Sequence, residues 1–433
     1  LPDAYPAAPS GATAAFSGTM TNLGVYGILR VFLHLLPSSP ATTTWGFLIA
    51  LAGLGSLFVG TLTALRQDDA KRLVSFHVIG QAGYAFLGIG IGLALLGTNP
   101  LLGAVGLLAG LFHMLNGSLY KPCLFLGAGA VEYSTGTRSL QELGGLGRVM
   151  ALTAGSALIA SLAIAGVPPL NGFASKWMMY AAAILGGPSQ PLFALAAVVA
   201  MFISLVTLAS FLKYLGSAFM GPRIDAADIR EAPGTMLAPQ LFLAGMCVFF
   251  GLFPLAPLGY VHQAVAGLPS AQGLPPFLEL MGPGPGLALG ATGTASALWA
   301  PLPVAVLLIV LASLVGAGLQ RAGGAKTRKV PIWTCGEEEK PGALRYPAGS
   351  FYLPFKHAFR GIYPAFKVPA PAFPASLRRA LNPDRWLFLP VARWVERSSR
   401  TVARSHVGVP QVYLLWIVLG AVAVVTVILL AMG

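Results

Sequence analysis

Apolar stretches long enough to cross a bilayer recur along almost the whole of this chain, and they leave little choice of fold. A spanning helix needs about 20 mostly apolar residues, and about nine candidates meet that length, over 11–36, 45–66, 73–97, 101–131, 150–186, 191–220, 237–258, 300–321 and 410–432. In hydrocarbon each backbone N–H and C=O must find a partner within the protein, and a helix provides one from its own segment. The expected fold class is all-α, a multi-pass transmembrane helical bundle. Hydrophobic residues are 56% and charged residues 9% of the sequence, which excludes an ordinary soluble domain. The formal charge of +13 lies mostly in connecting segments and a C-terminal stretch. It points to membrane lipids as partners and not to nucleic acid.

The candidate at 150–186 is discontinuous. Its interruption, Gly166-Val-Pro-Pro-Leu-Asn-Gly172, is followed one turn later by Lys176. A lysine at bilayer depth costs about 2.5–3.5 kcal/mol or more, so its default reading is functional. A broken helix with a charge beside it is a device by which transporters hold ions. The backbone groups freed at the break are expected to open a hydrated pocket.

All fourteen acidic residues fall outside the candidate spans, Glu132 lying just past the end of one. The buried ionisable set is therefore basic: His77, His113, Lys121, Lys176 and Lys213. Burial penalises charge, so bases in such a row can exchange protons and relay them. His113 and Lys121 stand about 12 Å apart along one helix and within about 80° of the same face, and Pro122 frees a carbonyl in the preceding turn. A lone buried histidine is as readily a neutral, hydrogen-bonded core residue, and His77 alone is a weak signal. The run Arg66-Gln-Asp-Asp-Ala-Lys-Arg72 reads as an interfacial loop with local salt bridges.

Between 259 and 299 glycine and proline, as in Met281-Gly-Pro-Gly-Pro-Gly286, argue for an extended loop. The polar segment Trp333-Thr-Cys-Gly-Glu-Glu-Glu-Lys340 belongs outside the hydrocarbon. Beyond it, Trp386 and Trp394 alternate with Arg385, Arg393, Arg397, Arg400 and Arg404, which predicts an amphipathic helix over about 380–406 lying along the membrane plane. Cys123, Cys247 and Cys335 match no ligand spacing. With no glycine-rich dinucleotide loop either, the chain is expected to hold no cofactor and no metal, and to have no catalytic residues of its own. Because the sequence opens at Leu1 on a motif-rich segment, it reads as a fragment lacking its N-terminal part.

Several segments, in order, resemble one family: the antiporter-like membrane subunits of complex I, Mrp antiporters and group 4 [NiFe]-hydrogenases. They are Leu1-Pro-Asp-Ala-Tyr-Pro-Ala-Ala-Pro9, Ser17-Gly-Thr-Met20, Tyr26-Gly-Ile-Leu-Arg30, Asp69-Ala-Lys-Arg-Leu-Val-Ser75, Gly80-Gln-Ala-Gly-Tyr84, the helix from His113 to Lys121, and Gly172-Phe-Ala-Ser-Lys176. Pro331-Ile-Trp-Thr-Cys-Gly336, Tyr346, Ser350-Phe351 and Pro354-Phe355 are most similar to the hydrogenase-4 component B and formate hydrogenlyase subunit 3 branch. The resemblance implies about fourteen helices, inverted repeats, a polar axis at mid-membrane and a lateral helix near the C-terminus. It divides the chain into an antiporter-like transmembrane domain (1–258), a loop and transmembrane helix (259–322), and a polar segment, lateral helix and final span (323–433). Two positions depart from the family pattern: Asn22 stands where a lysine is usual, and Gly117 where a second histidine is common.

The implied function is that of a proton-translocating membrane subunit of a redox-driven complex in the cell (inner) membrane. Its implied partners are other membrane subunits and a peripheral hydrogenase or dehydrogenase arm. The alternatives are a subunit of a cation/proton antiporter, or a non-conducting anchor for a peripheral oxidoreductase.

Overall fold

A computed structural model describes residues 1–35, 40–188, 190–221, 229–268, 274–281, 287–290, 296–323, 348–350 and 352–353, with isolated positions between 390 and 422. Two compact units divide it, Leu1–Phe355 and Lys356–Gly433. In the first, a short α1 (Ala4–Ala7) leads into α2 (Ser10–Arg30), which ends in a π turn at Val31–Leu35. Then come α3 (Pro40–Leu65), α4 (Ala70–Leu95), α5 (Pro100–Thr135), α6 (Ala151–Ala165), α7 (Asn171–Leu185), α8 (Pro191–Phe219) and α9 (Gly234–Leu252). The unit continues with α10 (Leu255–Ala266), α11 (Phe277–Met281), a hairpin of β1 (Leu287–Gly290) and β2 (Ser296–Trp299), and α12 (Pro301–Gly323). Six described helices, α3, α4, α5, α8, α9 and α12, are long and apolar enough to cross a membrane. The chain is an all-α, multi-pass membrane protein.

Local chemistry sets the helix ends. Asp69 caps α4 by accepting the Arg72 N–H at 2.8 Å, and Asn99 caps α5 by accepting the Leu102 N–H at 3.1 Å. Glycines set the spacing between α3, α4 and α5. Gly46, Gly53 and Gly60 recur every seventh residue on α3, and a Cβ on them would lie 2.5 Å from Ala94 N, 2.6 Å from Leu87 N and 2.7 Å from Gly80 N. On the other side of α4, Gly88 and Gly92 meet Gly110 and Gly106 equally closely. Backbones approach this way where packing, and not water expulsion, holds helices together.

The expected span at 237–258 is divided. Phe253 has φ −123° and ψ 59°, out of the helical region, as a residue before proline tends to be; α10 starts just beyond Pro254. The expected extended loop at 259–299 contains the rest of α10, α11 and the hairpin, whose register pairs Leu287 with Trp299 and Gly290 with Ser296. The four buried residues of α10, Pro257, Leu258, His262 and Val265, fall at helical spacing, which the surrounding glycine and proline obscure. The Trp333–Lys340 segment, Cys335, nearly all of the helix expected over 380–406 and the span at 410–432 lie outside the described residues.

Candidate functional site

The α6–α7 break is held by two glycines and closed by the lysine that follows it. Gly166 adopts φ +82°, a left-handed conformation that L side chains rarely take. A Cβ there would also stand 2.9 Å from Lys176 Cδ. The last carbonyls of a helix have no partner within it. Lys176 Nζ supplies two of them, donating to Ile164 O at 3.0 Å and Ala165 O at 3.2 Å, and its third bond goes to Ser204 Oγ at 3.1 Å. The ammonium also lies 4.4 Å from the Tyr84 ring centroid. The break thus meets its polar needs with the lysine itself. The adjoining cavity, about 480 Å³, is not the polar pocket expected: apart from Ser204 and the Tyr180 hydroxyl, its walls are apolar, with Phe173, Trp177, Leu185 and Met201 among them.

The other sequence-derived bases are all buried. His113 on α5 has Nδ1 2.9 Å from Ser175 Oγ and Nε2 3.0 Å from Gln81 Oε1, with the Tyr120 hydroxyl 3.4 Å from the same Nε2. Lys121 is 3% exposed and donates to Thr21 Oγ1 on α2 at 3.3 Å. Its side chain folds back over Gly117, where a Cβ would lie 3.0 Å from Lys121 Cε and 3.3 Å from Nζ. The missing side chain at 117 is therefore space that Lys121 fills. Asn22 bonds to Ser118 Oγ at 2.7 Å and tethers α2 to α5.

His77 on α4 has Nε2 2.8 Å from Ser210 Oγ, while its buried Nδ1 has no partner. Lys213 near the end of α8 donates to Leu65 O at 2.7 Å and to Gln67 O. Asp68 Oδ1 lies 3.8 Å away, and the Tyr352 ring centroid 5.1 Å away. His113 interacts electrostatically with both Lys121 and Lys176, and His77 with both Lys176 and Lys213. His113 bonds to Ser175, the residue before Lys176, and on α8 Ser204, which holds Lys176, is followed by Ser210, which holds His77, and then by Lys213; these contacts give the order Lys121, His113, Lys176, His77, Lys213.

The sequence did not single out the groups that join this series. Gln81, Tyr84 and Ser175 lie inside its motifs without marking themselves. Ser204, Thr207 and Ser210 precede Lys213 on α8 at three-residue intervals, a signal that was available. Nor are the salt bridges of the Arg66–Arg72 run local. Lys71 pairs with Glu132 at 2.8 Å, Arg72 with Asp3 at 3.1 Å, and Asp69 with Arg138. Glu132 itself lies within the last turn of α5, which runs past the expected span end.

The Lys71 side chain is only 4% exposed, against 36% for Glu132, and it also donates to Ala8 O at 3.5 Å, so neutralising the carboxylate leaves a buried ammonium without its counter-charge. Glu132→Gln should lower stability by ~1–3 kcal/mol, and Lys71→Met in that background should recover part of the loss. Thermal unfolding in detergent measures both; equal melting temperatures would show that the pair contributes nothing.

A family model for the transmembrane region of NADH:quinone oxidoreductase and Mrp antiporters matches residues 1–204. The chain is 38% identical over 282 residues to hydrogenase-4 component B of Escherichia coli (strain K12), covering 63% of this chain and 42% of that protein. It is 30% identical over 451 residues to an uncharacterized protein of Mycobacterium tuberculosis (strain H37Rv), covering 99% of this chain and 69% of that one. Among solved structures it is similar to a chain of the membrane-bound sulfane sulfur reductase, an archaeal respiratory membrane complex. That match has a TM-score of 0.66 and 27% identity, and covers 98% of this chain and 64% of the other. The chain thus spans 42% of the length of the hydrogenase-4 component it matches.

Proposed function

Because this chain belongs to the transmembrane family of NADH:quinone oxidoreductases and Mrp antiporters, we propose that it is a proton-translocating membrane subunit of a redox-driven complex. Other membrane subunits would surround it, and a peripheral hydrogenase or dehydrogenase arm would drive it. Similarity to hydrogenase-4 component B favours the hydrogenase type. The observation that carries the reading is the buried series from Lys121 to Lys213, with His113 bonded to Ser175 beside Lys176 and His77 bonded to Ser210 between Ser204 and Lys213.

Lys176 and His113 each have a neighbour that can follow their protonation state. Ser204 Oγ accepts from a charged Lys176 and can turn to donate to a neutral one, the Tyr84 and Tyr180 hydroxyls, both 2.9 Å from it, adjusting in step. Ser175 can donate to His113 Nδ1, or turn to Gly172 O at 3.2 Å and accept from a protonated ring. Hydroxyls both donate and accept, so neither change strands a buried group. A charge arriving at one end of the series alters the next base by Coulomb interaction in a low dielectric. The work required is set by the membrane potential, about 2.3 kcal/mol per charge per 100 mV.

The test is the assembled complex in sealed liposomes with a pH-sensitive dye inside. Redox turnover should move protons in an uncoupler-sensitive way. Turnover without proton movement would replace this reading with a passive anchor. Proton movement driven by a sodium or potassium gradient, with no electron donor present, would replace it with a cation/proton antiporter.

A further inference from the structure

The series of bases is buried, and protons must reach it from water at some point. We propose that Asp68 is that point: its carboxyl loads protons onto Lys213, and the hydroxyl face of α8 leads from there to Lys176. This rests on the relay reading above and adds to it a residue, Asp68, and a direction of supply.

Of the five bases, only Lys213 has a carboxylate within 4 Å among the described residues, Asp68 Oδ1 at 3.8 Å. The two partners differ in solvent access. The Lys213 side chain is wholly buried, whereas that of Asp68 is 35% exposed. Asp68 borders a polar cavity of about 380 Å³ shared with Asp69, Glu132, Arg138 and Glu142. Its Oδ1 is buried and has no hydrogen-bond donor, so the oxygen facing Lys213 is free to carry a proton. The other oxygen accepts from the Tyr352 hydroxyl at 3.4 Å, and the Tyr352 ring covers the ammonium. Burial and the Asp68 charge raise the Tyr352 phenol above its ordinary range, so it stays a donor. In the loading step the O–H bond of the Asp68 acid breaks and an N–H bond forms on neutral Lys213, leaving a carboxylate beside an ammonium.

Inward from Lys213, Ser210, Thr207 and Ser204 follow on α8, each about 4.5 Å further along the axis. Ser210 and Thr207 are fully buried. Ser210 holds His77 Nε2, and Ser204 holds Lys176. The His77 Nδ1 without a partner is an open hydrogen-bonding position on this route, and a fully buried polar atom left so calls for an explanation.

The experiment replaces Asp68 in the assembled complex and follows initial proton uptake in liposomes, with melting temperature as the folding control. Asp68→Asn keeps an acceptor for Tyr352 and loses the acid, and Asp68→Ser loses the acid with a shorter side chain; each should slow uptake at least tenfold. Asp68→Glu should stay within threefold of the parent. If either the Asn or the Ser variant assembles and takes up protons at the parent rate while Lys176→Ala does not, the Asp68 proposal is overturned and the relay stands. If the parent complex moves no protons, both fall together.

Discussion

Lys176→Ala should remove most proton translocation, to below a tenth of the parent rate, while the complex still assembles in the membrane. The alanine takes away the hydrogen bonds that join the end of α6 to α8 through Ile164 O, Ala165 O and Ser204 Oγ. It also takes away the base between His113 and His77. Lys176→Arg separates these two roles. Guanidinium can bond both carbonyls but keeps its proton, so a relay fails with arginine nearly as completely as with alanine, whereas a fixed positive charge would be replaced. The Arg variant must also fit a planar group where the lysine stem packs against Gly166. Its assembly and melting temperature are therefore measured beside the flux. An Arg variant that assembles and pumps at the parent rate would make Lys176 a structural charge and end the relay reading.

How much of this was legible beforehand depends on whether the signal is local. The break between α6 and α7 was readable because Gly166, Pro168, Pro169 and Gly172 sit together in an apolar run, and the helices because length and apolarity are counted along the chain. The five bases stood out because charge is rare in such a sequence. Their hydroxyl partners did not, since serine and threonine are tolerated in spanning helices and only the fold shows that Ser204 and Ser210 face Lys176 and His77. Lys71 and Glu132, 2.8 Å apart in space, belong to different helices, and nothing in either neighbourhood names the other. Gly117 could be recognised as a departure from the family, but only the path of Lys121 across it shows what fills the gap. The seven-residue spacing of Gly46, Gly53 and Gly60 was open to reading; that it packs against Gly80, Gly83 and Gly90 was not.

Among the described glycines, Gly172 is where an added methyl should be most disruptive, in Gly172→Ala. Its Cβ would stand 1.8 Å from Ala163 O and 2.9 Å from Ala163 C, and both are backbone atoms, so no rotamer change relieves the clash. Nor can the break move as a unit. On its far side α9 presses in, with the Gly251 position 2.3 Å from Pro169 O by the same measure, and on its near side Lys176 clamps the carbonyls of Ile164 and Ala165. The methyl must therefore push α7 off α6 and stretch the Lys176 bonds. Overpacking of this kind costs about 1–3 kcal/mol or more, and part of the loss should appear as impaired proton flux because the base itself is displaced. Gly155 on α6 provides the control. A Cβ there meets no atom within 4 Å, so Gly155→Ala should be neutral or add up to about 1 kcal/mol by relieving a helix of glycine. The comparison needs only melting temperatures and flux for the two variants. If Gly172→Ala melts with Gly155→Ala and pumps normally, the close approach of α6 and α7 does not constrain the site, and Lys176 is positioned by something other than the break.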